Sequence, residues 1–235
     1  MKRFYKEVSV TQAEDGFRVL LDGRSVKTPA KHVLALPTRA LAEAVAAEWR
    51  GQGEEIAPAA MPFLRLANTV IDGVAENRAE VIAAILRFGE NDLLCYRAAQ
   101  PADLAARQRE GWEPVLDWAR RRHGVDFAVV EGFTHADQPA ATLAVFRAAL
   151  EARDAFSLAA LHVVASVTGS MVLALALAEG VLTPAQAFSL SRIDEDYQAA
   201  KWGGDPEAQA RAAGLAREID AAAAFIAAAR PIANR

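Results

Sequence analysis

The sequence predicts an α+β protein, with a small β-sheet region crossed by a helix and a larger helical region after it. Three observations carry that expectation. Apolar residues alternate near the amino terminus, apolar spacing changes to three and four from about residue 60 onward, and alanine dominates the apolar share. Alanine is the strongest helix former, and a sheet with a helix laid across it buries both apolar faces. The expected division is an α+β domain over 1–75 and a helical domain over 76–235.

Residues 4–10 and 17–21 read as strands, and Asp22-Gly23 is a two-residue hairpin turn leading into an arm over 24–28. Pro29 ends that arm, and 32–36 reads as a further short strand. Thr38 follows Pro37 as the N-cap of a helix whose apolar face is Leu41, Ala42, Val45 and Trp49, stopped by Gly51 and Gly53. Helical spacing resumes at Phe63, Leu66, Ala67, Val70 and Ile71, and again at Val81, Ile82, Ile85 and Leu86. Residues 92–97 either return to the sheet or end a helix, because periodicity does not decide over six residues. Beyond Pro101 the pattern predicts helices near 102–110, 112–123, 139–152, 156–178, 184–201 and 205–229, with a short strand at 126–130.

Thirty acids against 26 bases give a net charge of −4 over 235 residues. No basic stripe is available to follow a phosphate backbone, so nucleic acid is not an expected partner. A single cysteine, Cys95, excludes an internal disulfide and a cysteine-based zinc site, and it reads as buried filler. Residues 158–178 carry no formal charge, which raises the question of a membrane span. His162, Ser166, Thr168, Gly169 and Ser170 interrupt that run, so the expectation is a buried central helix without membrane insertion. The amino terminus enters an alternating pattern with no apolar signal core and no acid-free leader, which predicts a protein that stays where it is made.

The phosphate-binding, dinucleotide, zinc-protease and nucleophile-elbow motifs are absent from the sequence. His162 and Ser166, four apart on a helix, lack a third group to orient the imidazole and read as a satisfied core histidine and a serine returning its hydroxyl to the backbone. Arg120, Arg121, Arg122 and His123 before Gly124 read as cations serving a helix carboxyl end. The segment Ile193-Asp-Glu-Asp-Tyr-Gln-Ala-Ala-Lys-Trp202 is the most informative. Glu195, Ala199 and Trp202 share one helical face, and Asp194, Gln198 and Lys201 form the neighbouring stripe. One reading is a solvated acidic face with Tyr197 and Trp202 turned into the core. The other keeps carboxylate and indole accessible for a basic, apolar partner. A third uses the carboxylates between 194 and 207 in a hydrolase or metal-dependent enzyme, although adjacent helical acids point about 100° apart and do not converge on one ion.

Phe4-Tyr-Lys, Leu21-Asp-Gly-Arg-Ser-Val-Lys-Thr-Pro29, Glu48-Trp-Arg-Gly-Gln52, Met61-Pro and Ala67-Asn-Thr-Val-Ile-Asp72 occur in order along the chain. Asp92-Leu-Leu-Cys-Tyr-Arg-Ala98, Gly169-Ser, Asp194-Glu-Asp-Tyr-Gln and Lys201-Trp-Gly follow them. Together they resemble the ATP synthase F1 assembly chaperone family that acts on the α subunit (assembly factor 2). The likeness runs from about Arg3 to Arg211, and departs from the family at Gly204, Phe88 and Asn91. The resemblance implies a non-enzymatic chaperone that holds the free α subunit until the β subunit takes its place, with no cofactor. It implies a partner-binding role for Glu195, with Asp194 and Asp196 beside it; Trp202 and Gln198 join them by their place on the helix. It also implies a monomer of the bacterial cytoplasm, whose organellar relatives work in the mitochondrial matrix.

Overall fold

The computed structural model describes residues 1–132 and 134–231; Phe133 and residues 232–235, within the expected helical domain, lie outside the described residues. The architecture is α+β, and the chain forms two compact units. The first draws on Met1–Arg78, Asp154–Ala160 and residues 221–231, and the second on Ala79–Arg153 and Leu161–Asp220.

In the first unit, β1 (Val8–Ala13) and β2 (Gly16–Leu21) pair antiparallel with Val8 opposite Leu21. Asp22 and Gly23 adopt φ of 47° and 78°, the left-handed pair that a tight two-residue turn requires, and lead into β3 (Arg24–Ser25). β4 (Ala35–Leu36) pairs with β2 at Phe17 and Arg18. The first strand starts four residues later than expected, because Asp22 accepts hydrogen bonds from the backbone N–H groups of Lys6 and Glu7 and holds that stretch as a turn. Helix α1 (Arg39–Arg50) is capped by Thr38, whose hydroxyl accepts from Leu41 N and donates to the Ala228 carbonyl. It lays Leu41, Ala42, Val45 and Trp49 against the sheet, as the spacing predicts. α2 (Pro62–Thr69) then continues as a wider π turn over Val70–Val74.

The second unit begins in α3 (Arg78–Glu90) and centres on α4 (Ala102–His123). Two helices broken at Gly111 were expected there; the structure has one, running through both Gly111 and Pro114. The costs of Gly and Pro in a helix, about 1 and 3 kcal/mol, are offset by one continuous buried stripe of Leu104, Gln108, Trp112, Val115, Leu116 and Ala119. Residues 92–97 do not return to the sheet of the first unit. A 3₁₀ turn (Leu93–Cys95) passes into β5 (Tyr96–Arg97), which pairs parallel with β6 (Val130–Glu131) in a separate two-stranded sheet. Cys95 is buried as expected, and burial pushes its thiol up to about 12.

The helix expected over 156–178 is two helices, α6 (Ala155–Thr168) and α7 (Met171–Ala178), after α5 (Ala140–Glu151). Gly169 turns left-handed at φ 66°, and the Ser170 hydroxyl caps α7 by accepting from Leu173 N. Every residue of α7 is buried, and no described helix is long and apolar enough to cross a membrane. The helix expected over 184–201 is likewise divided, into α8 (Pro184–Ser191) and α9 (Ile193–Trp202), and α10 (Pro206–Ala229) follows. At that break Trp112 Nε1 donates to the Leu190 carbonyl at 2.7 Å, which removes an acceptor from the helical ladder.

Gly111 of α4 also lies against that break. A Cβ there would lie 2.8 Å from Ile193 Cδ1 and 3.0 Å from Leu190 Cδ2. Both atoms are the ends of flexible side chains that can turn aside, so Gly111→Ala is expected to change stability by less than about 1 kcal/mol, the crowding being offset by alanine's better helix propensity. A thermal melt many degrees below that of the parent chain would show that Leu190 and Ile193 cannot yield.

Candidate functional site

Helix α9 is fixed from beneath by α4. Gln108 Nε2 donates to Asp194 Oδ1 at 2.6 Å, and Tyr197 OH donates to Asp103 Oδ1 at 2.8 Å. Lys201 Nζ lies 3.3 Å from Asp103 Oδ2 and 5.3 Å from the Tyr197 ring centroid. Tyr197 is buried at 5% exposure, and hydrogen-bonding Asp103 adds to burial in raising its phenol above the ordinary value. Burial is the larger of those two causes. Asp194, Glu195 and Asp196 occupy the first turn of the helix, where carboxylates complement the helix dipole.

The other side of α9 faces outward. Glu195, Asp196, Gln198 and Ala199 are exposed, and Trp202 is 78% exposed. Of the two aromatic positions read as core, Tyr197 is buried and Trp202 is not. Trp202 sits at the last residue of α9 beside Gly203, with no helical turn beyond it to pack against. Asp194 is half-buried and engaged by Gln108, so it faces α4 more than solvent. Asp196 lies 3.5 Å from Arg192 Nε. Glu195 makes neither a hydrogen bond nor an ion pair with any described residue.

Glu195, Asp196, Gln198, Ala199 and Trp202 line a cleft of about 800 Å³. Phe188, Arg192, Gly203, Gly204 and Asp205 also line it, with Ala208, Gln209, Arg211, Ala212 and Leu215 of α10. None of the α10 residues in that wall is a site candidate from the sequence. The available signal was Ala208, Ala212 and Leu215, a stripe at four- and three-residue spacing just after the Gly203-Gly204 break.

Other candidate groups have structural partners. The three acids of α9 are held differently and do not converge, and no three described His, Cys, Asp or Glu residues are placed to hold a metal. His162 is half-buried, with burial lowering its pKa, but Ser166 is exposed and no hydrogen bond joins the two. The hydroxyl expected to return to the backbone makes no hydrogen bond with any described residue and lies at the surface of the otherwise buried run. The cations before Gly124 stand in the last turn of α4, as expected, and two of them also have carboxylate partners. Arg120 pairs with Glu113 and Asp117 at 2.7 and 2.6 Å, Arg122 with Glu179 at 2.8 Å, and Gly124 N itself donates to the Arg120 carbonyl. Thr28, Ala30 N and His32 converge on Asp72. There the imidazole and the hydroxyl meet the carboxylate, not each other, which ties a loop and activates no nucleophile.

Comparison with known proteins places the chain among chaperones. Over 97% of its length it superposes on the crystal structure of Atp12 from Paracoccus denitrificans, at a TM-score of 0.94 and 40% identity, covering 98% of that chain. The Atu1473 protein of Agrobacterium tumefaciens gives the same TM-score at 47% identity, over 97% of this chain and 86% of the other. The mitochondrial protein atp12 of Schizosaccharomyces pombe is 23% identical over 215 residues, 86% of this chain and 74% of the relative. Residues 2–120 match the family model described as ATP12 chaperone protein. The chain belongs to the ATP12 chaperone family. The family-model match stops before the α8–α10 cleft, whereas the structural likeness extends over nearly the whole chain.

Proposed function

We propose that this protein is an assembly chaperone of ATP synthase F1, which binds the unassembled α subunit and keeps it from aggregating until the β subunit displaces it. The observation that carries this reading is the juxtaposition of Glu195, a carboxylate without an internal partner, and Trp202, an indole 78% exposed, in one cleft. A large aromatic grouped with other apolar residues in a concave surface, beside an unpaired charge, is the composition of a protein-binding patch. Glu195 supplies orientation and on-rate toward a basic patch, and Trp202 the apolar anchor. Asp196 and Gln198 extend the contact on the exposed face, and Asp194 meets it from the side held by Gln108.

An unassembled subunit exposes a surface meant for its neighbour, and surfaces of obligate interfaces aggregate when left open. A holding chaperone that later yields needs micromolar affinity, about −8 kcal/mol. Release then follows from competition by the incoming subunit. The reading places the protein as a monomer in the bacterial cytoplasm, needing no cofactor.

The test is co-purification of the full chain with isolated α subunit, followed by titration of β subunit. The expected outcome is a soluble pair from which β displaces the chaperone. If the α subunit aggregates at the same rate with and without the chain, the reading fails.

A further inference from the structure

The cleft that holds Glu195 and Trp202 has a second wall, and its chemistry specifies the shape of what it takes. Seven large hydrophobic side chains are exposed among the described residues, and two of them, Trp202 and Leu215 at 78% and 37%, line this one cleft. Single exposed apolar residues carry no meaning, but two converging on a concavity with Phe188, Ala199, Ala208 and Ala212 make an apolar floor. Five charged side chains line it: Arg192, Glu195, Asp196, Asp205 and Arg211. Arg192 faces Asp196 at 3.5 Å, and Arg211 faces Asp205 at 4.0 Å while binding Glu207 at 2.7 Å. Glu195 is the lining charge without a counterpart, so the cleft has one cation still to accept.

The walls decide between an extended and a helical occupant. Most of the lining comes from α8, α9 and α10, whose backbone N–H and C=O groups are largely used within the helices, and the rest includes the turn Gly203, Gly204 and Asp205, where the Asp205 carboxylate accepts from Glu207 N and Ala208 N of α10. A strand laid there would leave a row of its own backbone groups facing apolar side chains, at a cost of about 1–3 kcal/mol for each one buried. A helix satisfies its backbone internally, and Ala199, Ala208 and Ala212 are small enough to let its axis approach within about 8–10 Å. Seven residues separate Glu195 from Trp202, about 10 Å along the α9 axis. The matching ligand has a lysine or arginine and an apolar anchor at the same separation.

We propose that the cleft binds an amphipathic helix of the client polypeptide, with apolar residues at three- and four-residue spacing on the buried face and a lysine or arginine opposite Glu195. The inference rests on the reading that α9 is the client contact, and adds to it the α10 wall and the form of the bound segment.

The probes are three acetylated synthetic peptides of about 14 residues, roughly 21 Å of helix. One carries leucine at three- and four-residue spacing with lysine on the other face, the second scrambles the same composition so that no helical stripe remains, and the third replaces lysine by glutamate. Calorimetric titration into the full chain is expected to show the first binding about tenfold or more tighter than either control. Leu215→Glu and Glu195→Lys should each weaken it by about fivefold or more, and the half-exposed position of Leu215 leaves the thermal melt of its variant unchanged. Equal binding of the scrambled peptide, or parental binding by Leu215→Glu, overturns the helix-in-cleft assignment. If no peptide binds but the chain still protects α subunit in a Glu195-dependent way, the occupant is wrong and the contact reading stands. If the first peptide binds but Glu195→Lys still protects, the contact reading falls, and with it the client assignment.

Discussion

Replacing Glu195 by lysine is expected to abolish protection of the unassembled α subunit while leaving the chaperone folded. The side chain is exposed and has no internal partner, so its removal breaks no native contact. Surface substitutions of that kind stay within about 0.5 kcal/mol, and the lost carboxylate at the α9 amino end adds about 0.3–1 kcal/mol. A domain of this size loses about 2–4 °C in Tm per kcal/mol, so the melt should shift by only a few degrees. Binding should suffer far more. A cation opposed to a cation at a desolvated contact, in place of an attractive pair, costs about 2–5 kcal/mol, enough to turn micromolar affinity into roughly millimolar. Light scattering from isolated α subunit at equal chaperone concentration reads the loss directly. A variant that protects as well as the parent would show that the acidic helix is not the grip.

The second large effect lies outside the cleft. Asp92→Ala is expected to lower stability by about 3 kcal/mol, or about 6–12 °C in Tm. The Asp92 carboxylate is fully buried and accepts from Leu94 N at 3.1 Å and from Val172 N at 3.0 Å. It therefore pins the turn before β5 to the first turn of α7, a helix with no exposed residue. Alanine leaves both N–H groups buried without an acceptor. Burial pushes the Asp92 carboxyl up to about 6, against the lowering effect of the Ser170 hydroxyl and the backbone N–H groups. The folded pKa is thus above the unfolded one. The stabilising contribution of the protonated acid is complete below about pH 3.9 and is lost as pH rises through about 6. Asp92→Asn keeps the shape and removes the titration. The stability of the parent minus that of Asp92→Asn should fall between about pH 4 and 7; a flat difference would contradict the raised pKa.

The sequence made the local chemistry legible and left the tertiary decisions open. The Asp22-Gly23 turn and the Thr38 cap stand where their side chains dictate, because each is settled by its own few residues. The break at Gly169-Ser170 had a readable signal, a glycine followed by a capping hydroxyl inside an apolar run, and hydrophobicity masked it. The break at Arg192 had none, since it follows from the hydrogen bond of Trp112 to Leu190, 78 residues apart in sequence. The pairing of β5 with β6 is likewise a long-range event between two-residue strands too short to show periodicity. At the site, helical spacing was enough to put Glu195 on an outward face, but not to say whether Trp202 was core or surface. That depended on α9 ending at Trp202 and on the separate α10 wall.

The tryptophans give the protein a built-in optical reporter. Trp49 and Trp112 are buried at 8% and 1% exposure, Trp118 is partly covered, and Trp202 alone among the four stands in water. A soluble quencher such as iodide reaches that indole first, so its red-edge emission reads occupancy of the cleft with no dye attached. Binding of a client should shift this emission to the blue and shelter it from the quencher, which lets capture and hand-over be followed on the untouched protein in real time.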